Sequence, residues 1–282
     1  MAEEPKYTLY QFPMSYYSQK VLLTFFEKNI DFKPVFINLM ANEQLQEWYY
    51  KLHPDGLVPL LQYGDKLLPE SDDIMDHLDK QSTESCLVPS VDTDVGKDVA
   101  RWRSLLTSDV PIGMVTYGVF YNPELSLTGI KSPVTLTKDE MRERGEQAAK
   151  EMMALAERMP EVKENIERKL KGMEERKNVI ADPAKVKAKI DQIQAVFDKV
   201  EEKLKESGGD AWLCGSDYSA ADISLTVLIN RLVLLGILPM FLTETRPLVA
   251  AFWERAEARE NMKQMRAFAL KYAQEQAAKQ PK

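Results

Sequence analysis

The stretch VPLLQYGDKLLPES, residues 58–71, contains the turn and helix signals that decide the fold of the first part of the chain. Two apolar runs flank the turn Gly64-Asp65, which predicts a β-hairpin. Pro59 opens the first of these strands, at a place where a cis peptide bond can be kept. Ser71 is expected to be the N-cap of a helix whose first turn is acidic.

The segments before this hairpin alternate between strand and helix patterns. YTLYQF from Tyr7 is rich in β-formers, and SQKVLLTFFEKN from Ser18 has the apolar spacing of an amphipathic helix. DFKPVFINL from Asp31 predicts an edge strand, and NEQLQEWYYKL from Asn42 a second helix. The complete order is β-α-β-α-β-β-α, which predicts a four-stranded mixed sheet with helices on both faces.

Strand patterns end near Ser90, and the rest of the chain is predicted to be helical apart from the irregular stretch YNPELSLTGIKSPVTLT from Tyr121. Two long charged helices carry heptad-like stripes of apolar residues. We expect an intramolecular helical hairpin, with an intermolecular coiled coil as the alternative. The first stripe is Ala148, Met152, Leu155 and Met159, and the second is Val186, Ile190, Ile193, Phe197, Val200 and Leu204.

A long apolar run, ISLTVLINRLVLLGILPMFL from Ile223, is interrupted by Asn230, Arg231 and a proline. A membrane span needs about 20 apolar residues with few charges, so a buried core helix is the better prediction. Ser219 and Asp222, just before this run, have the spacing of a capping box. We therefore expect them to start the helix and to carry no chemistry.

Composition excludes several classes of function. The chain has 282 residues, 44% of them hydrophobic, and a net charge of −7, which argues against nucleic acid or an anionic membrane as the main partner. The charged N-terminal segment MAEEPK is not expected to be a secretory signal, nor the polar end AQEQAAKQPK a tail anchor. Cys86 and Cys214 are too few for a disulfide framework and indicate a reducing compartment. Two histidines and two cysteines have no ligand spacing, so no metal site is expected.

Ser15, in FPMSYYSQKVLL, lies where the first strand gives way to the first helix. Helix starts have unpaired N–H groups and a partial positive charge. A serine hydroxyl there can donate to a bound thiolate and lower the pKa of that thiol. The alternative is an ordinary turn serine. Ser18, three residues later, is expected to cap the helix.

Two further features lie around the hairpin. If the bond before Pro59 is cis, Val58 turns its N–H and C=O outward, where an extended peptide can pair with them. A helix beginning at Ser71 binds a carboxylate at its N-terminus, and Glu70 offers an anion for an ammonium group. The alternatives are a simple strand-starting proline and a plain N-cap. Together with Ser15, these features describe a ligand with a thiol, a peptide backbone and a free amino-acid end, which is glutathione.

Four motifs in this order resemble the cytosolic glutathione transferase superfamily: S-x-x-S-x-x-V from Ser15, HPDGLVPLL from His53, PES from Pro69 and YSAADISL from Tyr218. The resemblance covers both halves of the chain. It implies a thioredoxin-like, glutathione-binding domain, an all-helical C-terminal domain, and a long helical insertion in the second. The expected bounds are 1–82 and 83–282, with the insertion at about 122–190.

The resemblance also implies roles for individual residues. Ser15 is expected to contact the thiol as the catalytic residue, and Val58, before the cis Pro59, to pair with the cysteinyl backbone. Glu70 and Ser71 are expected to hold the γ-glutamyl end. Glutathione is then a co-substrate, and the superfamily implies a homodimer.

Within the superfamily the sequence is most similar to the ganglioside-induced differentiation-associated proteins. The similarity rests on YSQKV from Tyr17, TYGVFYNPELSL from Thr116 and the long charged helices. Those proteins continue into a hydrophobic region and an anchor in the mitochondrial outer membrane, and neither is expected for this chain. The expected location is therefore the cytoplasm, with association to that membrane implied by the resemblance alone. Animal members have a cysteine and a Glu-Ala pair in place of PES, so this chain is expected to keep the better glutathione site.

A second similarity is to reductive dehalogenases of the same superfamily, which have a cysteine between the two serines. This chain has Tyr17 there. Covalent reductive dehalogenation as those enzymes perform it is therefore not expected.

The first candidate function is conjugation of glutathione to an unidentified electrophile. Tyr16 and Tyr17 are the nearest candidates to the thiol, and their phenols can donate to developing charge. Further candidate walls of the electrophile pocket are Trp102, Met114, Tyr117 and Tyr121, although side chains at this spacing are more often core. His53 is expected to be a surface turn residue.

The second candidate is a catalytically weak or inactive glutathione-sensing or protein-interaction module, related to proteins of mitochondrial dynamics. Its charged helices would then bind a cytoskeletal or organelle-surface partner. The intact Ser15, Glu70 and Ser71 favour ligand binding, and the insertion favours a partner.

Overall fold

The structure is a computed structural model that describes residues 5–83, 85–132 and 136–279. The two termini and positions 133–135 of the predicted irregular stretch lie outside the described residues. The strands are β1 (Tyr7–Gln11), β2 (Phe32–Phe36), β3 (Leu60–Tyr63) and β4 (Lys66–Leu68). The helices are α1 (Tyr16–Glu27), α2 (Glu47–Leu52), α3 (Ser71–Asp79), α4 (Asp94–Ser108), α5 (Ile112–Tyr121), α6 (Lys138–Arg158), α7 (Lys163–Ile180), α8 (Pro183–Glu206), α9 (Ala220–Leu235), α10 (Pro247–Ala258) and α11 (Glu260–Lys279).

The strands form one mixed sheet in the order β2-β1-β3-β4. β1 runs parallel to β2, with Leu9 opposite Pro34, and antiparallel to β3, with Leu9 opposite Leu61. β3 and β4 form the predicted hairpin, and Gly64 in its turn has a φ of +55°, which glycine adopts without a Cβ clash. The thioredoxin-like sheet followed by helices is confirmed.

Helices cover both faces of this sheet. Leu9 and Leu61 belong to the large core that includes α1 and α3, whereas Leu60 packs with Tyr49 of α2 on the other face. The helix predicted from Asn42 is shorter than expected. Asn42 has a left-handed backbone (φ 53°), so the 3-10 turn Leu39–Ala41 ends before it and a second 3-10 turn, Glu43–Leu45, follows it before α2 begins.

The two apolar stripes are buried within the chain, but the prediction that their helices form a hairpin was wrong, because the stripes pack on different partners and α7 contacts both helices. The α8 stripe joins the large core, which also contains α4, α9 and α10. The α6 stripe packs with Ile166 of α7 and with Leu45 and Tyr50 from the segment around α2. α7 contacts both of the other long helices. The helices after α5 therefore attach to the sheet side of the molecule as well as to the helical side.

α9 is the buried helix predicted from the apolar run. Its capping box is present: Asp222 Oδ2 accepts from the Ser219 N–H at 2.8 Å and from the Ser219 hydroxyl at 2.7 Å. Among the helices of the described ranges, none is long and apolar enough to cross a membrane.

Candidate active site

Ser15 is the N-cap of α1. Its backbone N–H donates to the Phe12 carbonyl at 2.7 Å, and its Oγ accepts from the Ser18 N–H at 3.4 Å. The prediction that Ser18 caps the helix was wrong, because the chain turns at Phe12 and the helix begins directly after Ser15. Ser18 lies buried in the first turn, where its Oγ accepts from the Phe12 N–H at 3.5 Å. The Ser15 hydroxyl, which accepts at the helix start, can therefore donate its own proton to a ligand.

The Val58–Pro59 peptide bond is cis, as the sequence suggested. Within the described ranges, the backbone N–H and C=O of Val58 have no hydrogen-bond partner. Its side chain packs in the same cluster as Phe12, which belongs to the turn that ends at Ser15. The structure therefore brings the start of α1 and the open backbone of Val58 into one region.

At the start of α3, Glu70 is the N-cap and Ser71 is the first helical residue, so the predicted cap was wrong by one position. Glu70 has an extended backbone (φ −87°, ψ 130°), which excludes it from the helix while its carbonyl accepts from the Ile74 N–H at 2.9 Å. The Glu70 side chain is exposed and has no ion-pair partner among the described residues, whereas Ser71 is mostly buried.

A partly buried ion-pair network, which the sequence analysis missed, joins α3 to α1 and α4. Lys20 Nζ lies 2.6 Å from Asp72 Oδ1, and the Thr107 hydroxyl donates to Asp72 Oδ2 at 3.1 Å. Burial alone would raise the pKa of Asp72, but Lys20, Arg103 and Thr107 together hold it below its usual range. Burial lowers the pKa of Lys20 despite its carboxylate partner. Arg103 also donates to the Asp72 carbonyl at 2.9 Å and pairs with Asp76 at 2.5 Å.

Tyr17, in the first turn of α1, lies near the acidic start of α3. Its side chain is 41% exposed, and its pKa is raised by partial burial and by the carboxylates of Asp72 and Glu70. Tyr16, in contrast, is buried, with its ring 5.1 Å from that of Tyr17 in an edge-to-face contact. Burial raises the pKa of Tyr16, and its hydroxyl has no hydrogen-bond partner in the described ranges. Both phenols are therefore protonated donors near neutral pH.

The other candidate pocket residues occupy different environments. Tyr117 is 43% exposed, with the Arg176 guanidinium 4.7 Å from its ring centroid. Met114 is half-buried, as is Tyr121, which has a lysine ammonium 5.2 Å from its ring centroid. Trp102 is buried in the large core. It lines a groove of about 800 Å³ between α4 and α8 that includes none of the expected glutathione contacts. Trp102 is therefore a core residue, which is the alternative that the sequence analysis left open.

Arg231 of α9, which the sequence analysis treated only as an interruption of an apolar run, reaches this region. Its Nη2 donates to the Met14 carbonyl at 2.5 Å, directly before Ser15. Burial lowers its pKa to about 10, against the opposite influence of Tyr117 and Tyr16. The sequence does contain a signal for this role, because Arg231 is a charged residue within an otherwise apolar helix.

His53 is not a surface residue, so that prediction was wrong. It is buried beside Tyr49 at the end of α2, and its Nδ1 accepts from the Asp55 N–H at 3.3 Å. Burial lowers the pKa of His53. The short helix turns this ring inward under the loop that leads to Val58.

With this geometry established, comparison with known families decides the classification. The model for the glutathione S-transferase N-terminal domain matches residues 9–85, and the model for the C-terminal domain matches residues 134–260. The chain belongs to the glutathione S-transferase family. The first model spans the strands and the helix starts described above, and the second spans α6 to α10.

The chain is similar to several known proteins over most of its length. Human ganglioside-induced differentiation-associated protein 1-like 1 is 27% identical over 263 residues, which is 89% of this chain and 71% of that protein. The tetrachloro-p-hydroquinone reductive dehalogenase of Sphingobium chlorophenolicum is 26% identical over 264 residues, 93% of this chain and 96% of that enzyme. The solved structure of Ure2p in complex with glutathione has the same fold, with a TM-score of 0.63 and 16% identity over 94% of this chain and 95% of that one.

Proposed function

We propose that this glutathione S-transferase binds reduced glutathione and conjugates it to an electrophile through the thiolate sulfur. The observation that carries the proposal is the open backbone of Val58, which shares a side-chain cluster with the turn leading to Ser15. A peptide with a thiol can pair with Val58 by main-chain hydrogen bonds and present its sulfur to a helix start. Ure2p, which has the same fold, was solved in complex with glutathione, and this supports the choice of ligand.

Ser15 would act on the thiol. As N-cap it accepts from the Ser18 N–H and keeps one proton to donate, so it can stabilise a thiolate together with the positive end of α1. This lowers the pKa of the thiol, whose proton passes to solvent. The new bond joins the sulfur to the electrophilic carbon, and the leaving group departs with its bonding electron pair.

The start of α3 would hold the amino-acid end of glutathione. The Ser71 hydroxyl and the helix N-terminus suit a carboxylate, and the exposed Glu70 carboxylate suits an ammonium group. Lys20 and Arg103 would act indirectly, because their bonds to Asp72 fix the first turn of α3. Pro59 would set the direction of Val58.

Ser15→Ala tests the catalytic part of this proposal. With the neutral aryl halide chlorodinitrobenzene as electrophile, kcat/KM should fall about a hundredfold, the usual loss when one donor to developing negative charge is removed. The pKa of the bound thiol, followed by its thiolate absorbance, should rise toward that of free glutathione. An unchanged thiol pKa in Ser15→Ala would contradict the role given to this serine.

A glutathione-sensing interaction module is the second candidate, and one contact favours it. The insertion helix α7 touches the loop that leads to Val58: Lys169 Nζ donates to the Gly56 carbonyl at 2.7 Å, and the Asn165 amide donates to the Pro54 carbonyl at 3.1 Å. Ligand at Val58 would then change the dynamics of α7. Glutathione-dependent protection of α7 in hydrogen exchange, without turnover of any electrophile, would favour this candidate. The homodimer and the cytoplasmic location stay predictions.

A further inference from the structure

Three arginines from three helices surround Tyr117 next to the start of α1. The Arg176 guanidinium of α7 lies 4.7 Å from the Tyr117 ring centroid. Tyr117 also lies near enough to Arg144 of α6 and to Arg231 of α9 to raise the pKa of both guanidinium groups, although burial lowers each pKa overall. Arg231 in turn donates to the Met14 carbonyl at 2.5 Å, which places the cluster beside Ser15.

Within the described ranges, these three arginines lack a counter-ion, because none of them has a carboxylate oxygen within 4 Å. Elsewhere in those ranges, every buried or half-buried arginine does. Those paired residues are Arg103, Arg246, Arg255, Arg259 and Arg266.

The groups near these arginines do not neutralise them: they are uncharged, or they are a carboxylate that already accepts another hydrogen bond. Arg144 donates to the Leu39 carbonyl at 3.1 Å and to the Met40 sulfur at 3.5 Å. The carboxylate that influences its pKa, Glu140, accepts from the Thr137 N–H at 2.7 Å in the capping box of α6. The Nε atom of Arg231 is buried without a partner in the described ranges. Clustered cations usually require compensation in a folded protein.

The cluster has an open side. Tyr17 and Tyr117 are 41% and 43% exposed, and Arg144 and Arg176 are half-buried. The exposed Tyr117 ring beside the Arg176 guanidinium suits a flat ligand with a carboxylate, because a guanidinium binds carboxylate oxygens in pairs. Tyr17 packs on Tyr16, which influences the pKa of Arg231, and so extends this aromatic face toward the start of α1. Arg231 lies behind them and adds positive charge.

We propose that the second substrate is an anionic aromatic electrophile whose carboxylate binds Arg144 and Arg176, with its ring against Tyr17 and Tyr117. This inference rests on the proposed transferase function and names the substrate class of the same site. The carboxylate takes the place of the counter-ion that the cluster lacks among the described residues. The reacting carbon then lies toward Ser15 and the thiol.

Two electrophiles of similar shape but different charge test this inference. Chlorodinitrobenzoate and chlorodinitrobenzamide differ in the carboxylate, and both lose chloride to a thiolate. We expect wild type to prefer the benzoate in kcat/KM. Arg144→Met and Arg176→Met should each reduce this preference about tenfold, the value of one charge-assisted contact. Arg142→Met removes the same charge from an exposed position of α6 and should change the preference less than twofold.

Binding of dinitrobenzoate, which has no halide and cannot react, keeps this inference separate from the transferase proposal. It should bind more tightly than dinitrobenzamide, and more weakly to Arg144→Met and Arg176→Met, even if no electrophile is turned over. Equal binding of the two probes would overturn the inference, as would an equal loss in Arg142→Met. A tenfold loss of glutathione affinity in Arg144→Met and Arg176→Met would also overturn it, because the cluster would then hold a carboxylate of glutathione itself.

Discussion

Lys169 provides a test of whether α7 supports the proposed glutathione site. Its Nζ donates to the Gly56 carbonyl at 2.7 Å and to the Asp55 carbonyl at 3.0 Å, two and three residues before Val58. Its ammonium lies 5.9 Å from the Tyr50 ring centroid. Lys169→Met keeps the apolar stem and removes both hydrogen bonds. The loop would then be held less firmly in the conformation that presents Val58.

The expected loss of affinity depends on two opposing contributions of Lys169, its hydrogen bonds and the cost of burying its charge. Each charge-assisted hydrogen bond contributes roughly 1.5–3 kcal/mol, but burial of the ammonium offsets much of this gain. Burial also lowers the pKa of Lys169 to about 8, which indicates a substantial desolvation cost. A net loss of about 1 kcal/mol in loop stability corresponds to roughly fivefold weaker binding of glutathione.

Calorimetric titration with reduced glutathione measures this effect. Lys171→Met, which removes the same charge from an exposed position two residues away, is the matched control and should bind like wild type. Wild-type affinity in Lys169→Met would refute the supporting role of α7. An equal loss in Lys171→Met would show that the effect comes from removing one positive charge and not from losing the two carbonyl contacts.

The remaining predictions concern stability. Burial lowers the folded-state pKa of Lys169 from 10.5 to about 8, so between pH 8 and 10.5 the unfolded chain binds more protons than the folded one. The stability of wild type relative to Lys169→Met should therefore rise with pH through this window, as measured by urea unfolding. Asp222→Ala leaves three buried donors without their acceptor, the Ser219 N–H, the Ser219 hydroxyl and the Leu213 N–H, and should cost about 3–4 kcal/mol in the free energy of unfolding. Asp222→Asn should cost about half as much, and equal losses would contradict the capping role. Gly118→Ala places a Cβ 2.6 Å from Val186 and should lower the stability by about 1–3 kcal/mol in thermal unfolding, whereas Gly113→Ala on the same helix meets no atom within 4 Å and should be neutral or stabilising.

Local signals made much of the fold predictable. The hairpin turn at Gly64 and the capping box at Asp222 each depend on residues a few positions apart, and both are present in the structure. The apolar run of α9 likewise predicted a buried helix. The exact caps were less predictable: Ser18 and Ser71 both lie inside helices, because the backbone turns before them set the helix starts.

Contacts between distant parts of the chain could not be predicted from these patterns. Arg231 reaches a carbonyl 217 positions earlier, and Lys169 reaches one 113 positions earlier. His53 is buried because α2 is short and turns the ring inward, which a loop pattern does not reveal. These side chains depend on how the helices pack on the sheet, so sequence spacing indicated that they were unusual without indicating their partners.

The central claim is that glutathione binds between Ser15, Val58 and the start of α3, and one titration tests it most directly. Reduced glutathione is titrated calorimetrically into wild type, into Ser71→Ala and into Ser216→Ala, an exposed serine in the loop before α9. We predict saturable binding to wild type and to Ser216→Ala, and about tenfold weaker binding to Ser71→Ala, which loses one hydrogen bond to a carboxylate. No heat of binding with millimolar glutathione, or equal affinity in Ser71→Ala and wild type, would contradict the account.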